Sequence, residues 1–509
     1  MIIKVAFLIC FFIIMILVGI YARRHATNVG DFVLGGRAVG PWLTAFAYGT
    51  TYFSAVIFVG YAGQFGWKYG VAATWIGIGN AFIGSLMAWV VLGRRTRVMT
   101  HHLKSSTMPD FFGSRYNSKP IKLVASAIIF IFMVPYTASV YKGLSSLFEM
   151  AFGVPFSVCV WVMAILTGVY VILGGYMATA INDLIQGIIM LIGIVAVIYS
   201  VIQGQGGFME AIGSLATLPS DATVTLGQPG AFTSFFGPDP KNLLGVIILT
   251  SLGTWGLPQM IHKFYAIKSE KSIKSGTIIS TIFAVVIAGG CYYLGGFGRL
   301  FDSQAIRTAS GAVNFDAIVP HMLSGLSDAL IGIVIVLVLS ASMSTLSGLV
   351  LTSSSTLTLD FLKGNIIKNM NEKKQLLVMR LLIVFFIGLS VFLALNPITF
   401  IAQLMSIAWG AMAGSFLAPF LYGLYWKGVT KGAVWASFAS GVGITVSNML
   451  FKYIESPINA GAIAMIAGLV LVPIVSLITP KLKKDKVDQL FSCYDEPVTV
   501  HARKSIQEA

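Results

Sequence analysis

Charge is what this sequence has least of. Only 10% of its 509 residues are Asp, Glu, Lys or Arg, where a soluble domain carries roughly a quarter. Beside 56% hydrophobic residues, that scarcity excludes a soluble enzyme. Acid is scarcer than base, 19 residues against 34, and apart from Asp183 the apolar runs hold almost no carboxylate. An intramembrane proton relay needs such groups, so little supports one. The cysteines, Cys10, Cys159, Cys291 and Cys493, have neither zinc nor redox spacing. No nucleophile motif, phosphate loop or His/Cys/Asp cluster appears, so no enzymatic chemistry is expected.

What is present is apolar sequence in runs of about twenty residues, the length that crosses a bilayer as a helix. Thirteen runs are read, near 3–21, 41–65, 71–93, 121–147, 155–175, 183–202, 242–262, 276–298, 328–356, 377–395, 398–425, 431–451 and 459–478. The expected fold is therefore an all-α integral membrane protein of about thirteen transmembrane helices. The first run has no small-residue cleavage site before Arg23 and Arg24, so it reads as a retained helix rather than a signal peptide. Most Lys and Arg fall in alternate loops and in the tail. By the positive-inside rule this puts the N-terminus outside and the C-terminus in the cytoplasm, which an odd number of spans requires. Topology thus accounts for the net charge of +15 without any nucleic-acid partner.

Two runs are interrupted. "AFAYGTTYFSAVIFVGYAG" breaks at Gly49 and a polar cluster, and five spans later "LTSLGTWGLPQMI" breaks at Gly253, Gly256 and Pro258. Proline removes an amide donor and opens the helix there. Broken helices in matching positions of two five-helix halves mark an inverted-repeat secondary transporter, although Gly and Pro also serve as ordinary packing and kink residues in membranes. The chain divides into an N-terminal helix and basic loop (1–40), repeat 1 (41–203), an extracellular loop (204–241), repeat 2 (242–426), two accessory helices (427–479) and a cytoplasmic tail (480–509).

The stretch "ASMSTLSGLVLTSSS", 341–355, carries eight hydroxyl residues inside the ninth run. Ala341, Ser344 and Thr345 are spaced i, i+3, i+4 and share one helix face. A carbonyl and two hydroxyls there suit a hard cation such as sodium, which takes oxygen ligands, with further carbonyls freed by the break near Thr50 and Phe53. The alternative is that each hydroxyl bonds its own i−4 carbonyl or joins two helices.

Four stretches, "DFVLGGRAVGPW", "INDLIQGIIM", "ASMSTLSGLVLTSSSTLTLDFL" and "PFLYGLYWKGVTKGA", resemble the sodium:solute symporter family, which includes proline, pantothenate and sialic acid symporters and the sodium/glucose cotransporters. The resemblance runs over about 5–480. It implies the leucine-transporter-like five-plus-five inverted repeat, alternating access and co-transported sodium. It also implies a sodium site at Thr50 and Phe53 (carbonyls), Ala341 (carbonyl), and Ser344 and Thr345 (hydroxyls). Asp183 matches an acidic position linked to sodium handling; taken alone, "ND" also reads as a helix N-cap. Arg37 matches a family motif, and reads as a positive-inside anchor.

The solute is expected near the midplane, against Tyr52, Tyr136, Thr250, Thr254, Trp255, Pro258, Ser406 and Trp409. The eleventh run is most similar to proline symporters, and Tyr136 falls on a tyrosine they use. Tyr52, Thr250 and Thr254 depart from that pattern, and "GLPQ" is closer to the pantothenate branch. A small amino acid such as proline, or a carboxylate such as pantothenate, is favoured over a sugar or sialic acid. A proton-coupled carrier and a channel are the rivals; a channel would need a continuous polar pore. The expected location is the cell membrane, and the oligomeric state is open.

Overall fold

A computed structural model describes residues 2–22, 28–219, 229–363, 365–396 and 399–495. Arg23 and Arg24, the middle of the 204–241 loop and the tail beyond 495 lie outside the described residues. Among the described residues the chain is helical, with only isolated bridges between extended segments.

Among the described residues, eleven helices are long and apolar enough to cross a membrane, against the thirteen runs read from sequence. The difference arises where helices are broken or fused. The run at 41–65 is cut after helix α1 (Pro41–Tyr52), twelve residues long. Its second half is continuous with the next run in α2 (Val56–His102). Likewise the runs at 155–175 and 183–202 join without an intervening loop in α3 (Phe156–Gly204), two helical segments spanning 49 residues that meet at a kink. A straight helix of that length would measure ~73 Å, more than twice the hydrocarbon core. Both long helices turn at a glycine. Gly70 has φ 60° and ψ −142°, and Gly175 has φ 55° and ψ −147°. Other L residues rarely adopt that conformation. A Cβ at Gly70 would also meet the Phe232 carbonyl oxygen at 2.0 Å.

The centre of the bundle is made by α4 (Asp328–Thr356) and α5 (Ile401–Tyr425), both almost wholly buried. The N-terminal helix Ile2–Ala22 stands at the rim with only 17% buried. Helix α4 packs on α3, on α6 (Lys119–Phe152) and on α1, while α5 packs on α7 (Lys431–Phe451) and α8 (Pro457–Ile478). The second interrupted run forms α9 (Pro240–Leu252), a tight turn over Gly253–Trp255, an extended Leu257, and α10 (Pro258–Ala266).

The bundle has two ends, one carrying the 204–241 loop and one carrying the basic loops, and ion pairs tie each. At the loop end the Lys142 ammonium contacts Asp316 at 2.6 Å and donates to the Thr399 carbonyl at 3.1 Å. Asp316 also accepts the Ile401 amide, the first of α5, where the helix dipole favours an anion. Asp316→Asn leaves Lys142 without its counter-charge. It should lower stability by about 3 kcal/mol, read as a fall in unfolding temperature in detergent. At the basic end Lys122 contacts Asp110 at 2.6 Å and Asp360 at 3.1 Å. Arg37 is a tether there, donating to the Ser105 and Tyr265 carbonyls at 2.6 and 3.3 Å.

Candidate ion and solute site

Helix α1 ends because Phe53 is extended, with φ −104° and ψ 94°. The Phe53 amide still bonds the Gly49 carbonyl, but the carbonyls after it leave the ladder. Helix α4 crosses at this point. The Ser344 hydroxyl donates to the Thr50 carbonyl at 2.8 Å. The Thr345 hydroxyl lies 3.3 Å from the Thr50 carbonyl, 3.2 Å from that of Thr51 and 3.1 Å from that of Ala341. All of these residues are buried, Thr345 completely. Five neutral oxygens thus converge at mid-depth, from Thr50, Thr51, Ala341, Ser344 and Thr345. The structure brings together all the residues expected for sodium except Phe53, whose carbonyl these hydroxyls do not reach, and Asp183. The Thr51 carbonyl was not anticipated.

Neighbouring hydroxyls take the alternative course. Ser342 bonds the Val338 carbonyl at 2.7 Å and Ser347 that of Ser344 at 2.8 Å. The break in α1 supplies foreign carbonyls to positions 344 and 345 alone.

Asp183 sits in the interior of α3 rather than at a helix start, so it is no N-cap. Its carboxylate is 3.5 Å from the Lys263 ammonium, with the two side chains 1% and 3% exposed. Lys263 falls within α10 and not, as its place after the apolar run indicated, in a basic loop. Around the pair, the Asn182 amide, the Tyr176 hydroxyl and His262 Nε2 are buried without hydrogen-bond partners. The pair lies toward the basic end.

The expected solute residues divide into two sets. Tyr52 donates to the Thr250 carbonyl at 2.6 Å, and Thr250 to that of Val246 at 2.8 Å. Thr254 and Trp255 donate to the Gly84 and Ile83 carbonyls, both at 3.0 Å. These polar groups are engaged in holding the broken segment against α2. Ser406 is bonded to Ala402 and to the Tyr61 hydroxyl, at 2.6 and 2.9 Å. By contrast the Tyr136 hydroxyl, Trp409 Nε1 and both amide atoms of Gln259 are buried without a hydrogen bond of good geometry, and Tyr136 faces both of the others. The Tyr136 and Trp409 rings meet edge to face at 5.9 Å, Trp409 lies 6.2 Å from the Tyr52 ring, and Gln259 neighbours Tyr136. Gln259 follows Pro258 in the first turn of α10, where Pro258 has no amide proton and the Met260 and Ile261 amides donate to the Leu257 carbonyl. Sequence reading stopped at Pro258 and missed it; the polar residue beside a helix break was the signal available.

Above this cluster, toward the loop end, a cavity of about 570 Å³ is lined by Gln64, Lys68, Asp239, Val246, Gln403 and Glu455 among others. Val246 and Gln403 lie about one turn from Thr250 and Ser406 on the same helices.

Two helices broken at mid-depth against a hydroxyl-bearing third, with neutral oxygens at one break and buried polar groups facing one another at the other, define an ion-coupled secondary carrier. The solved structures agree on the fold. A sodium-coupled sialic acid symporter in a substrate-bound outward-open state superposes with a TM-score of 0.74 at 17% identity, covering 95% of this chain and 99% of the other. A nucleobase-cation-symport-1 family transporter in a closed conformation superposes at 0.50 with 14% identity, covering 91% and 98%. The chain has the leucine-transporter-like fold.

The profile of the sodium:solute symporter family matches residues 32–440, and the chain belongs to that family. Sodium is its co-transported ion. The sodium/proline symporter of Staphylococcus aureus (strain JH9) is 30% identical to it over 502 residues, covering 93% of this chain and 91% of that protein. The same holds for the symporter of strain COL.

Proposed function

We propose that this symporter takes up a small carboxylate-bearing solute, an amino acid of the proline kind, together with sodium bound at Thr50, Ala341, Ser344 and Thr345. Phe53 would join this set as the break adjusts around the ion. The reading is carried by one observation: the Tyr136 hydroxyl, Trp409 Nε1 and Gln259 amide, buried without a hydrogen bond of good geometry, face one another at the start of α10. Three of these groups donate, suiting a carboxylate, and the positive dipole end of a half-helix favours the same charge. The Gln259 carbonyl oxygen accepts, suiting a ring or primary ammonium. The flanking aromatic rings suit a compact apolar body. A sugar would ask for more hydroxyl partners than remain.

In this reading thirteen segments cross the cell membrane, the N-terminus is outside, and 41–203 and 242–426 are the inverted repeats. The loop-end cavity is the outer vestibule, and Asp183 handles sodium on its way to the cytoplasm. One sodium crossing 100 mV supplies about 2.3 kcal/mol and a tenfold gradient about 1.4. Together they sustain a solute gradient of roughly 500-fold.

The test is uptake of labelled proline, with pantothenate beside it, into proteoliposomes under an inward sodium gradient and then with potassium in its place. Sodium-dependent accumulation of proline is expected; equal uptake in both salts would remove the reading. Tyr136→Phe and Gln259→Leu should each raise the KM for solute by about tenfold, the worth of one hydrogen bond to a charged group. The half-saturating sodium concentration at high solute should change little. An unchanged KM in both would place the solute elsewhere.

A further inference from the structure

At the basic end, beyond the transport path, a cavity of about 600 Å³ is lined by Arg115, Lys431, Lys481, Lys483 and Lys486, and by no Asp or Glu. We propose that this pocket binds the phosphate headgroup of an anionic phospholipid. The proposal needs only that the chain lies in a membrane.

Arg115 makes the pocket more than a cluster of surface lysines. It is 0% exposed. Its Nε donates to the Gly423 carbonyl at 2.9 Å and its Nη2 to that of Trp426 at 3.1 Å, capping the end of α5. Its Nη1 is buried with no partner. Burial pulls the guanidinium below its usual pKa, and only Tyr116 and Tyr494 oppose the shift. A buried arginine is ordinarily matched by an anion, and none of the acids nearby serves. On α11 (Lys484–Phe491), Asp485 and Asp488 do not line the pocket, and Asp488 is held by Lys427 at 2.6 Å. A phosphate offers the planar guanidinium the acceptor it lacks.

The depth of the pocket selects a lipid. Lys431 is the first residue of membrane helix α7, and Pro480 stands two residues past the end of α8, so both mark headgroup level. Trp435, Leu477 and Ile478 on the same helix ends are exposed, 38%, 72% and 78%, an apolar surface for acyl chains with tryptophan at the interface. Helix α11 closes the far wall, seated by buried Val487 and Phe491, with the Phe491 ring 5.1 Å from the Arg115 guanidinium. Basic pockets at the cytoplasmic ends of membrane helices bind such headgroups.

The experiment is thermal unfolding of the full chain in neutral detergent, titrated with phosphatidylglycerol, with phosphatidylcholine of the same chains, or with inorganic phosphate. Phosphatidylglycerol should raise the unfolding temperature saturably and the other two should not. The four lysines are exposed, so Lys431→Gln, Lys481→Gln, Lys483→Gln and Lys486→Gln combined should fold. Each is worth roughly fivefold in affinity, and the combined variant should need at least about tenfold more lipid for the same shift. The pair Lys481→Gln and Lys483→Gln alone should give an intermediate result, which serves if the fourfold variant is unstable. An equal shift with phosphatidylcholine would overturn the proposal. So would an equal shift with inorganic phosphate, which would mark a free-anion site, or an unaltered phosphatidylglycerol titration in both variants.

Discussion

Thr345→Ala should raise the sodium concentration needed for half-maximal uptake by roughly 10- to 100-fold, and at physiological sodium transport should all but stop. The Thr345 hydroxyl reaches the carbonyls of Thr50, Thr51 and Ala341, so its removal takes one ligand and loosens the cradle of three others. A hydrogen bond to a charged group is worth about 1.5–3 kcal/mol, which sets that range. Ser344→Ala should behave alike, having lost the 2.8 Å link to Thr50. Thr345→Ser keeps the oxygen and should stay near wild type. Both hydroxyls also bridge α1 to α4, so a purely structural effect needs separating. If the lesion lies in the ion site, high sodium restores the rate. If it lies in the fold, no sodium concentration does.

The second large effect concerns Asp183 and Lys263. Their 3.5 Å pair is almost wholly withdrawn from water, and breaking a buried pair by removing one partner costs about 3–5 kcal/mol. Asp183→Asn should therefore destabilise the protein by about that amount, because Lys263 is left buried and unmatched. Lys263→Gln should do the same to Asp183. The double variant removes both charges and should recover most of the loss. Unfolding temperatures of the four proteins close the cycle. Transport is a separate readout: if Asp183 handles sodium, the double variant folds yet carries solute slowly. Wild-type uptake in the double variant would reduce the pair to a structural tie.

These two sites differ in how far the sequence disclosed them. Ala341, Ser344 and Thr345 were legible because helical periodicity alone places them on one face, and the polar cluster at 49–54 announced a break opposite. The Thr51 carbonyl was not, since only the actual course of the chain after Tyr52 decides which freed carbonyls turn toward α4. Lys263 was not disclosed for a related reason. It follows an apolar run, and charge at the end of a run reads as a loop, whereas the break at Gly253–Leu257 shifts α10 so that Lys263 remains inside. At Gly70 and Gly175 hydropathy marks a division between runs, and the structure makes each division a turn at a left-handed glycine rather than a loop. The solute residues were half legible. Aromatic and hydroxyl residues at the two breaks were identifiable, but which are engaged with backbone carbonyls and which face one another depends on packing between helices far apart in sequence.

Binding of radiolabelled sodium to the purified protein, with and without proline, in wild type and in Thr345→Ala, tests the coupling of ion and solute most directly. The expected result is saturable binding in wild type that tightens when proline is present, with both the binding and the tightening lost in the variant. Sodium binding of equal affinity in the two proteins would contradict the site, and with it the reading of the 341–345 face as the place where the ion is held.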